Sequence, residues 1–236
     1  MRQYFHRSKS LANSFLFIMP LLVLYEMGIV MYGSPIKNTA DVIIKTPLTL
    51  FGRNSSLIFN SIVIVSLLAS IFFIEKEHAL SVMIFLWMFL ESIGYALLLG
   101  YGVGFIVYKV FFTHALASPF LSETGLGIIL SIGAGVYEEI VFRFLLLLFL
   151  YNFIFTKLLK ISKPLGAAIS VFLAALIFTS LHYMSSSGDS FTYASFTFRF
   201  LSGLFLSALY MFRGLGIAVY THAIYDVMTV LKPFQV

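Results

Sequence analysis

The run LGIILSIGAGVYEEIVFRFLLLLFLYNF, residues 126–153, decides the fold class. It is longer than the ~20 apolar residues that a helix needs to cross the hydrocarbon core of a bilayer. Charge enters it at Glu138, Glu139 and Arg143, all near its middle. Each such group costs about 2.5–3.5 kcal/mol or more at the centre of a membrane helix. The run therefore predicts a membrane helix that carries a polar site inside the bilayer.

The composition of the whole chain agrees with this interpretation. Of 236 residues, 60% are hydrophobic and 11% are charged, and the mean hydropathy is +0.99. A soluble domain is about 25% charged, so this chain has too much apolar surface for a soluble fold. We expect a single integral membrane domain, residues 1–236, with the lipid bilayer as its surroundings. The net charge of +5 suits anionic headgroups better than nucleic acid.

Apolar runs separated by polar breaks predict the transmembrane helices. The predicted spans are 14–32, 57–74, 79–99, 126–153, 165–183, 193–212 and 214–231. The glycine-rich stretch from Gly100 to Phe112 is too short to cross alone, so we expect a re-entrant piece or part of an eighth helix. The predicted fold is an all-α, polytopic transmembrane bundle of seven or eight helices, with the catalytic core at 126–231.

The positions of the basic residues predict the orientation of the bundle. The N-terminal leader and the loop with Lys157, Lys160 and Lys163 should both be cytoplasmic, and four crossings between them satisfy this. The polar segment 33–56, which we expect outside the membrane with an interfacial helix, also carries Lys45 and other basic residues. In this orientation that segment lies on the opposite side, which conflicts with the positive-inside bias.

The central motif is Glu138-Glu139-x-x-x-Arg143. Residues four apart lie on one helical face, whereas neighbours point about 100° apart. We therefore expect Glu139 to pair with Arg143 and Glu138 to point elsewhere, without that counter-charge. A carboxylate placed in this way is suited to act as a general base near neutral pH.

Two further motifs place histidines on other hydrophobic helices. Phe178 and His182 are four apart at the end of the span 165–183, where the ring of Phe178 can orient the imidazole. His222 and Asp226 are four apart in the last span and project from one helical face. Glu138, His182, His222 and Asp226 are thus the candidate catalytic residues, supported by Glu139, Arg143 and Phe178.

Each of these features also has a purely structural interpretation. A lone buried histidine in a membrane helix is more often a structural hydrogen-bonding residue than a catalyst. Three other ionisable residues within spans, Glu26, Glu91 and Arg199, are expected to form structural pairs, for example Glu91 with Arg199. The joint occurrence of three motifs on three helices favours a site.

The three motifs together resemble those of the CAAX protease and bacteriocin-processing (CPBP, or Abi) family of intramembrane proteases. That family's pattern is Glu-Glu-x-x-x-Arg, then Phe-x-x-x-His, then His-x-x-x-Asn or Asp, and the chain has it in this order between 138 and 226. The resemblance covers the C-terminal half of the chain.

The resemblance implies a glutamate-dependent intramembrane protease. In such an enzyme Glu138 and His182 activate a water that attacks the scissile carbonyl, and His222 with the residue at 226 stabilises the oxyanion. Glu139 and Arg143 hold the helix and tune Glu138. An ionised aspartate cannot donate a hydrogen bond to an oxyanion, so either Asp226 is protonated or it orients His222 and keeps that imidazole charged; we expect the second.

The expected substrate is a membrane-anchored or lipid-modified polypeptide that enters between helices, in the membrane of a prokaryotic cell. No cofactor, metal or nucleic-acid partner is expected. A zinc-dependent membrane protease is an alternative, because His182, His222 and a carboxylate could supply three ligands. The helical His-Glu-x-x-His arrangement of many zinc proteases is missing from the sequence. A non-enzymatic immunity or scaffold protein is the other alternative.

Overall fold

A computed structural model describes residues 2–32, 39–77, 82–111, 124–184 and 190–231. Within these ranges every regular element is helical, which confirms the all-α prediction. The helices are α1 (Arg2–Ser8), α2 (Leu11–Tyr32), α3 (Thr39–Lys45), α4 (Ser55–Glu77), α5 (Val82–Phe111), α6 (Thr124–Leu158), α7 (Lys163–Met184), α8 (Tyr193–Arg213) and α9 (Leu215–Leu231).

Five of these helices, α2, α5, α6, α7 and α8, are long and apolar enough to cross a membrane. The outer surface of the bundle carries large apolar side chains, and Val30 and Met31 are each about four-fifths exposed. Such a surface is compatible with lipid, so the chain is an integral membrane protein. Each of the seven predicted spans coincides with a helix over its described residues, and residues 79–81 of the third span lie outside them. The count of seven or eight crossings is not confirmed, because α9 has 17 residues and the apolar stretch of α4, Ser61–Phe72, is shorter.

Helix α5 contains the glycine-rich stretch for which we expected a re-entrant piece or an eighth helix. From Gly100 to Phe111 the chain instead continues the helix that begins at Val82. The segment Leu98–Val103 has wider, π-type turns, and the residues on either side of it keep right-handed helical backbone angles. The glycines therefore widen the helix without ending it, and the separate element is not formed.

The polar segment between α2 and α4 is largely helical where it is described. Helix α3 is followed by a 3₁₀ segment, Thr46–Asn54, in which Gly52 has a positive φ of 56°. The expected short helix outside the long spans is thus present. Helix α3 packs against α6, so this segment lies directly on the long helix that carries the glutamates.

Helix α9 is the centre of the bundle and packs against α2, α5, α6 and α8. Most of its residues are buried, including Ile217, Ala218 and Val219 with no exposed surface. A helix that is apolar all round is stable when other helices enclose it. Polar side chains on α9 are therefore held in the interior of the protein.

Two glycines allow the close packing around α9. A Cβ atom at Gly135 on α6 would lie 2.6 Å from both the backbone nitrogen and the Cβ of Ala223 on α9, so the two helix backbones are in direct contact. Small residues permit this approach in membrane helices. Gly214 alone joins α8 to α9 and has φ 89°, which other residues rarely adopt. These two positions set α9 against α6.

The buried ion pair of Glu91 differs from the expectation. Glu91 does not pair with Arg199: the Nε and Nη2 atoms of Arg213 donate to its two carboxylate oxygens at 2.5 and 2.8 Å. Tyr4 of α1 donates to the same carboxylate at 2.5 Å. Arg199 is 14 residues earlier on α8, or about 21 Å along a straight helix, so it cannot reach the same group. The pair joins α5, α8 and α1.

Candidate active site

Helix α6 provides the two glutamates and the arginine of the candidate site. Glu139 Oε1 lies 2.9 Å from Arg143 Nη1, as the four-residue spacing predicted, and both side chains are fully buried. The α-helical part of α6 ends at Glu139, and Ile140–Leu147 has wider π-type turns. Widened turns of this kind are frequent near functional sites. Glu138, the neighbouring residue, is also buried.

Helix α7 provides Phe178 and His182. The carbonyl of Phe178 lies 2.9 Å from His182 Nδ1, and a carbonyl can only accept, so Nδ1 carries a proton. The rings of Phe178 and His182 are 4.7 Å apart and meet edge to face. The Arg143 guanidinium lies 4.5 Å from the Phe178 ring centre. Phe178 therefore lies between His182 and the buried ion pair and contacts both.

Helix α9 provides His222 and Asp226. His222 Nε2 is 3.4 Å from Asp226 Oδ2, in agreement with their shared helical face. His222 Nδ1 is 2.8 Å from Glu139 Oε1, a contact that the sequence did not predict. Glu139 and Asp226 thus contact opposite nitrogens of the same imidazole ring. Arg143, Glu139 and His222 thus form one chain of charged contacts across α6 and α9.

Glu138 lies between the two histidines. Its Oε2 atom is 3.9 Å from His182 Nε2 and 3.9 Å from His222 Nε2. Both distances are too long for a direct hydrogen bond and suit a bridging water molecule. The four candidate catalytic residues therefore lie together, although 88 positions separate Glu138 from Asp226.

The helix packing explains why these side chains meet. Gly135 is one turn before Glu139 on α6, and its contact with Ala223 places α9 against this face. His222, the residue before Ala223, lies 2.8 Å from Glu139 and 3.9 Å from Glu138 across this interface. The glycine-rich run before the glutamates was the one sequence signal of this close approach, and it did not identify the partner helix.

The site is open on one side. The side chains of His182 and Asp226 are 23% and 24% exposed, whereas those of Glu138 and Glu139 are 9% and 0% exposed. His182 and Asp226 are thus the more exposed members of the site. The glutamates lie behind them, against the core of the bundle.

Residues near the motifs make contacts outside the site. Tyr137 donates a short hydrogen bond to Glu26, and Tyr183 forms a 2.7 Å hydrogen bond with Ser195. Glu26 also forms a 2.6 Å ion pair with Lys45, in agreement with the structural pairing that we expected for it. Within the described ranges, no group of three His, Asp or Glu side chains is arranged to hold a metal ion. The zinc alternative is left to experiment.

Comparison with known proteins gives one family for this region. The family model described as Type II CAAX prenyl endopeptidase Rce1-like matches residues 120–228, and the match contains all seven residues of the candidate site. No curated protein and no solved structure matches the chain. The family supports a membrane-embedded endopeptidase in general. Residues 120–228 of this chain are similar to the type II CAAX prenyl endopeptidases, which confirms the resemblance carried by the three motifs.

Proposed function

We propose that this protein is an intramembrane endopeptidase in which Glu138 and His182 activate the hydrolytic water. The observation that supports this most directly is the 3.9 Å distance from Glu138 Oε2 to His182 Nε2. In the proposal, one water bridges these atoms with a hydrogen bond to each. Since Nδ1 of His182 carries a proton, its Nε2 can accept a proton in the neutral form.

The reaction proceeds by attack of this water on the scissile carbonyl. The water oxygen bonds to the carbonyl carbon as Glu138 takes its proton, and the carbonyl oxygen becomes an oxyanion. When the intermediate collapses, the carbon–nitrogen bond breaks and the leaving amine takes a proton delivered by Glu138 or His182. General acid–base catalysis of this kind contributes about 10²–10⁴-fold.

His222 stabilises the oxyanion in this proposal. The Nδ1–H group of His222 donates a hydrogen bond to Glu139. Its Nε2 can therefore donate only when the ring carries a second proton. Asp226 at 3.4 Å and Glu138 at 3.9 Å from Nε2 favour that charged form. Asp226 thus keeps His222 charged, and His222 is the main donor to the oxyanion.

The substrate that suits this site is a membrane-anchored or lipid-modified polypeptide. The site lies among hydrophobic helices and opens through His182 and Asp226, so an anchored chain reaches it laterally from the bilayer. The family description names CAAX prenyl endopeptidases, which makes a prenylated C-terminal peptide the first substrate to test. We place the protein in the membrane of a prokaryotic cell.

Glu138→Gln tests the proposed function. In liposomes, the protein should cleave a farnesylated peptide that ends in a Cys-aliphatic-aliphatic-X sequence, and Glu138→Gln should reduce the rate about 10³-fold. Glutamine has nearly the same size as glutamate. Equal thermal unfolding temperatures of the variant and the parent would show that folding is unaffected. Cleavage that is equally fast in Glu138→Gln would contradict the proposal.

Two additional experiments distinguish this proposal from a zinc-dependent protease and from a non-enzymatic scaffold. Cleavage that survives exhaustive treatment with a chelator supports a metal-free reaction, and cleavage that zinc restores supports the zinc-dependent one. If neither the farnesylated peptide nor an unprenylated, membrane-anchored peptide is cleaved, the non-enzymatic scaffold is favoured.

A further inference from the structure

A second polar cluster lies on α6 beside the candidate site, on the face turned away from α9. It consists of Tyr25 and Glu26 on α2, Asp41 and Lys45 on α3, and Tyr137 on α6, and we call it the Lys45 cluster. Four of its five members lie outside residues 120–228, the segment that matches the family.

Lys45 is the centre of this cluster. Its Nζ atom is 2.6 Å from Glu26 Oε1 and 2.7 Å from Asp41 Oδ1. The same ammonium lies 4.7 Å from the ring centre of Phe59 on α4, and 5.2 and 5.8 Å from those of Tyr137 and Tyr25. Two carboxylates and three aromatic rings thus hold one cation, which joins four helices at a single point.

Tyr137 connects the cluster to α6. It is buried, its hydroxyl donates to Glu26, and its ring meets that of Tyr25 edge to face at 5.3 Å. A Cβ atom at Gly133 would overlap the Tyr25 ring, so that ring packs directly on the α6 backbone. These contacts fix the rotation of α6 about its own axis.

Tyr137 immediately precedes Glu138. Consecutive side chains on a helix point about 100° apart, so Tyr137 faces the Lys45 cluster while Glu138 faces the two histidines. A rotation of α6 that moved Tyr137 would move Glu138 through the same angle. A displacement of about 1 Å can reduce a catalytic rate about 10²-fold, because the reacting atoms leave their attack geometry.

We infer that Lys45 is a positioning residue that aims Glu138 by fixing Tyr137 and the rotation of α6. The inference rests on the proposed function for its effect on catalysis. Its effect on the geometry of Glu138 is independent of that function. In this arrangement α3, which lies outside the long spans, determines the rate of a reaction inside the bundle.

The kinetic test replaces Lys45 in the full chain in liposomes, with the farnesylated peptide as substrate. Lys45→Met should lower kcat about 10²-fold and leave KM nearly unchanged, because the substrate does not touch Lys45. Lys45→Arg keeps the cation and should restore most of kcat. Lys157→Met is the matched control, since Lys157 lies on α6 over the ring of Phe153 and should leave kcat unchanged.

A thiol measurement tests the geometry without proteolysis. The chain has no cysteine, so Glu138→Cys introduces a single thiol at the site. Lys45→Met in this background should change the rate at which a small methanethiosulfonate reagent labels the thiol, and Lys157→Met should not. The result separates the two proposals, because it does not depend on whether Glu138 is catalytic.

Tyr137→Phe provides a second test in case Lys45→Met does not fold. It removes only the hydroxyl that binds Glu26, keeps the ring, and should lower kcat about tenfold with an unchanged thermal unfolding temperature. Unchanged kcat and unchanged labelling in folded Lys45→Met and Tyr137→Phe would overturn the inference. Equal losses in Lys157→Met would overturn it as well.

Discussion

At the scale of single residues, the candidate site contains more acid than its proposed chemistry uses. Three carboxylates surround His222, and one arginine, Arg143, is buried with them. Their positions divide their roles: Glu138 faces the open space, Glu139 joins Arg143 to His222, and Asp226 lies at the exposed edge. The roles follow from contacts and exposure, since the side chains are chemically alike.

Asp226→Asn tests the role of the exposed carboxylate. Asparagine keeps the size, and its Oδ1 can still accept a hydrogen bond from His222 Nε2, so the variant should retain cleavage within about tenfold of the parent. Asp226→Ala removes this acceptor and should lose about 10²–10³-fold. Initial rates on the farnesylated peptide measure both. A loss in Asp226→Asn as large as that in Glu138→Gln would show that the carboxylate itself takes part in the chemistry.

Glu139→Gln tests the buried chain of charged contacts. Glutamine leaves the fully buried guanidinium of Arg143 without its counter-charge, and removal of one partner from a buried ion pair costs about 3–5 kcal/mol. We expect a clearly lower thermal unfolding temperature in detergent, whereas Glu138→Gln should unfold like the parent. A Glu139→Gln variant that is as stable as the parent would mean that the pair contributes no stability.

At the scale of elements, the site depends on how closely α6 approaches α9. Both helices are apolar, and in lipid the hydrophobic effect does not drive two apolar helices together. Close packing at small residues and polar contacts between the helices do so instead. Gly135 removes the side chain that would separate them, and the bond between His222 and Glu139 joins them. Packing and catalytic geometry are therefore properties of the same interface.

Gly135→Ala tests this interface. The added methyl group meets the backbone of Ala223 at 2.6 Å, which a flexible side chain cannot relieve, so α6 and α9 must move apart. We expect a loss of stability and at least a ~10²-fold loss of cleavage. Gly94→Ala on α5 is the control, because a Cβ there meets nothing within 4 Å and should be tolerated. Equal behaviour of the two variants would contradict the packing argument.

At the scale of the whole molecule, the helix order determines on which side each loop lies. Four long helices, α2, α4, α5 and α6, separate the N-terminal leader from the loop that holds Lys160. If each crosses once, the leader and this loop lie on the same side, and the connection between α7 and α8 lies on the other. The location of His182 near that connection then sets the side from which substrates enter.

Single thiols measure this orientation in intact cells, since the chain has no cysteine. Thiols introduced by Lys9→Cys and Lys160→Cys should be protected from a membrane-impermeant maleimide. A thiol introduced by Ser190→Cys, at an exposed position before α8, should react. Labelling of Lys9→Cys and Lys160→Cys from opposite sides would mean that one of the four helices does not cross.

Much of the site could be predicted from the sequence because its local geometry follows from helical periodicity. Glu139 with Arg143, Phe178 with His182 and His222 with Asp226 are all four residues apart, and each pair is in contact. The Glu91–Arg199 prediction failed because it paired residues on different helices with no knowledge of their relative positions. The contact between Glu139 and His222 was missed for the same reason.

By itself, the sequence determined the membrane character, the helical class and the motif pairs, because hydrophobic length and helical period depend on neighbours along the chain. The tertiary structure alone decided that Glu138 lies between two histidines, that Glu139 holds His222 and that Lys45 packs beside Tyr137. These contacts depend on which helices touch and at what rotation. In lipid, helices associate where glycines, aromatic rings and buried charges on two helices match each other. The sequence of one helix alone does not contain this information.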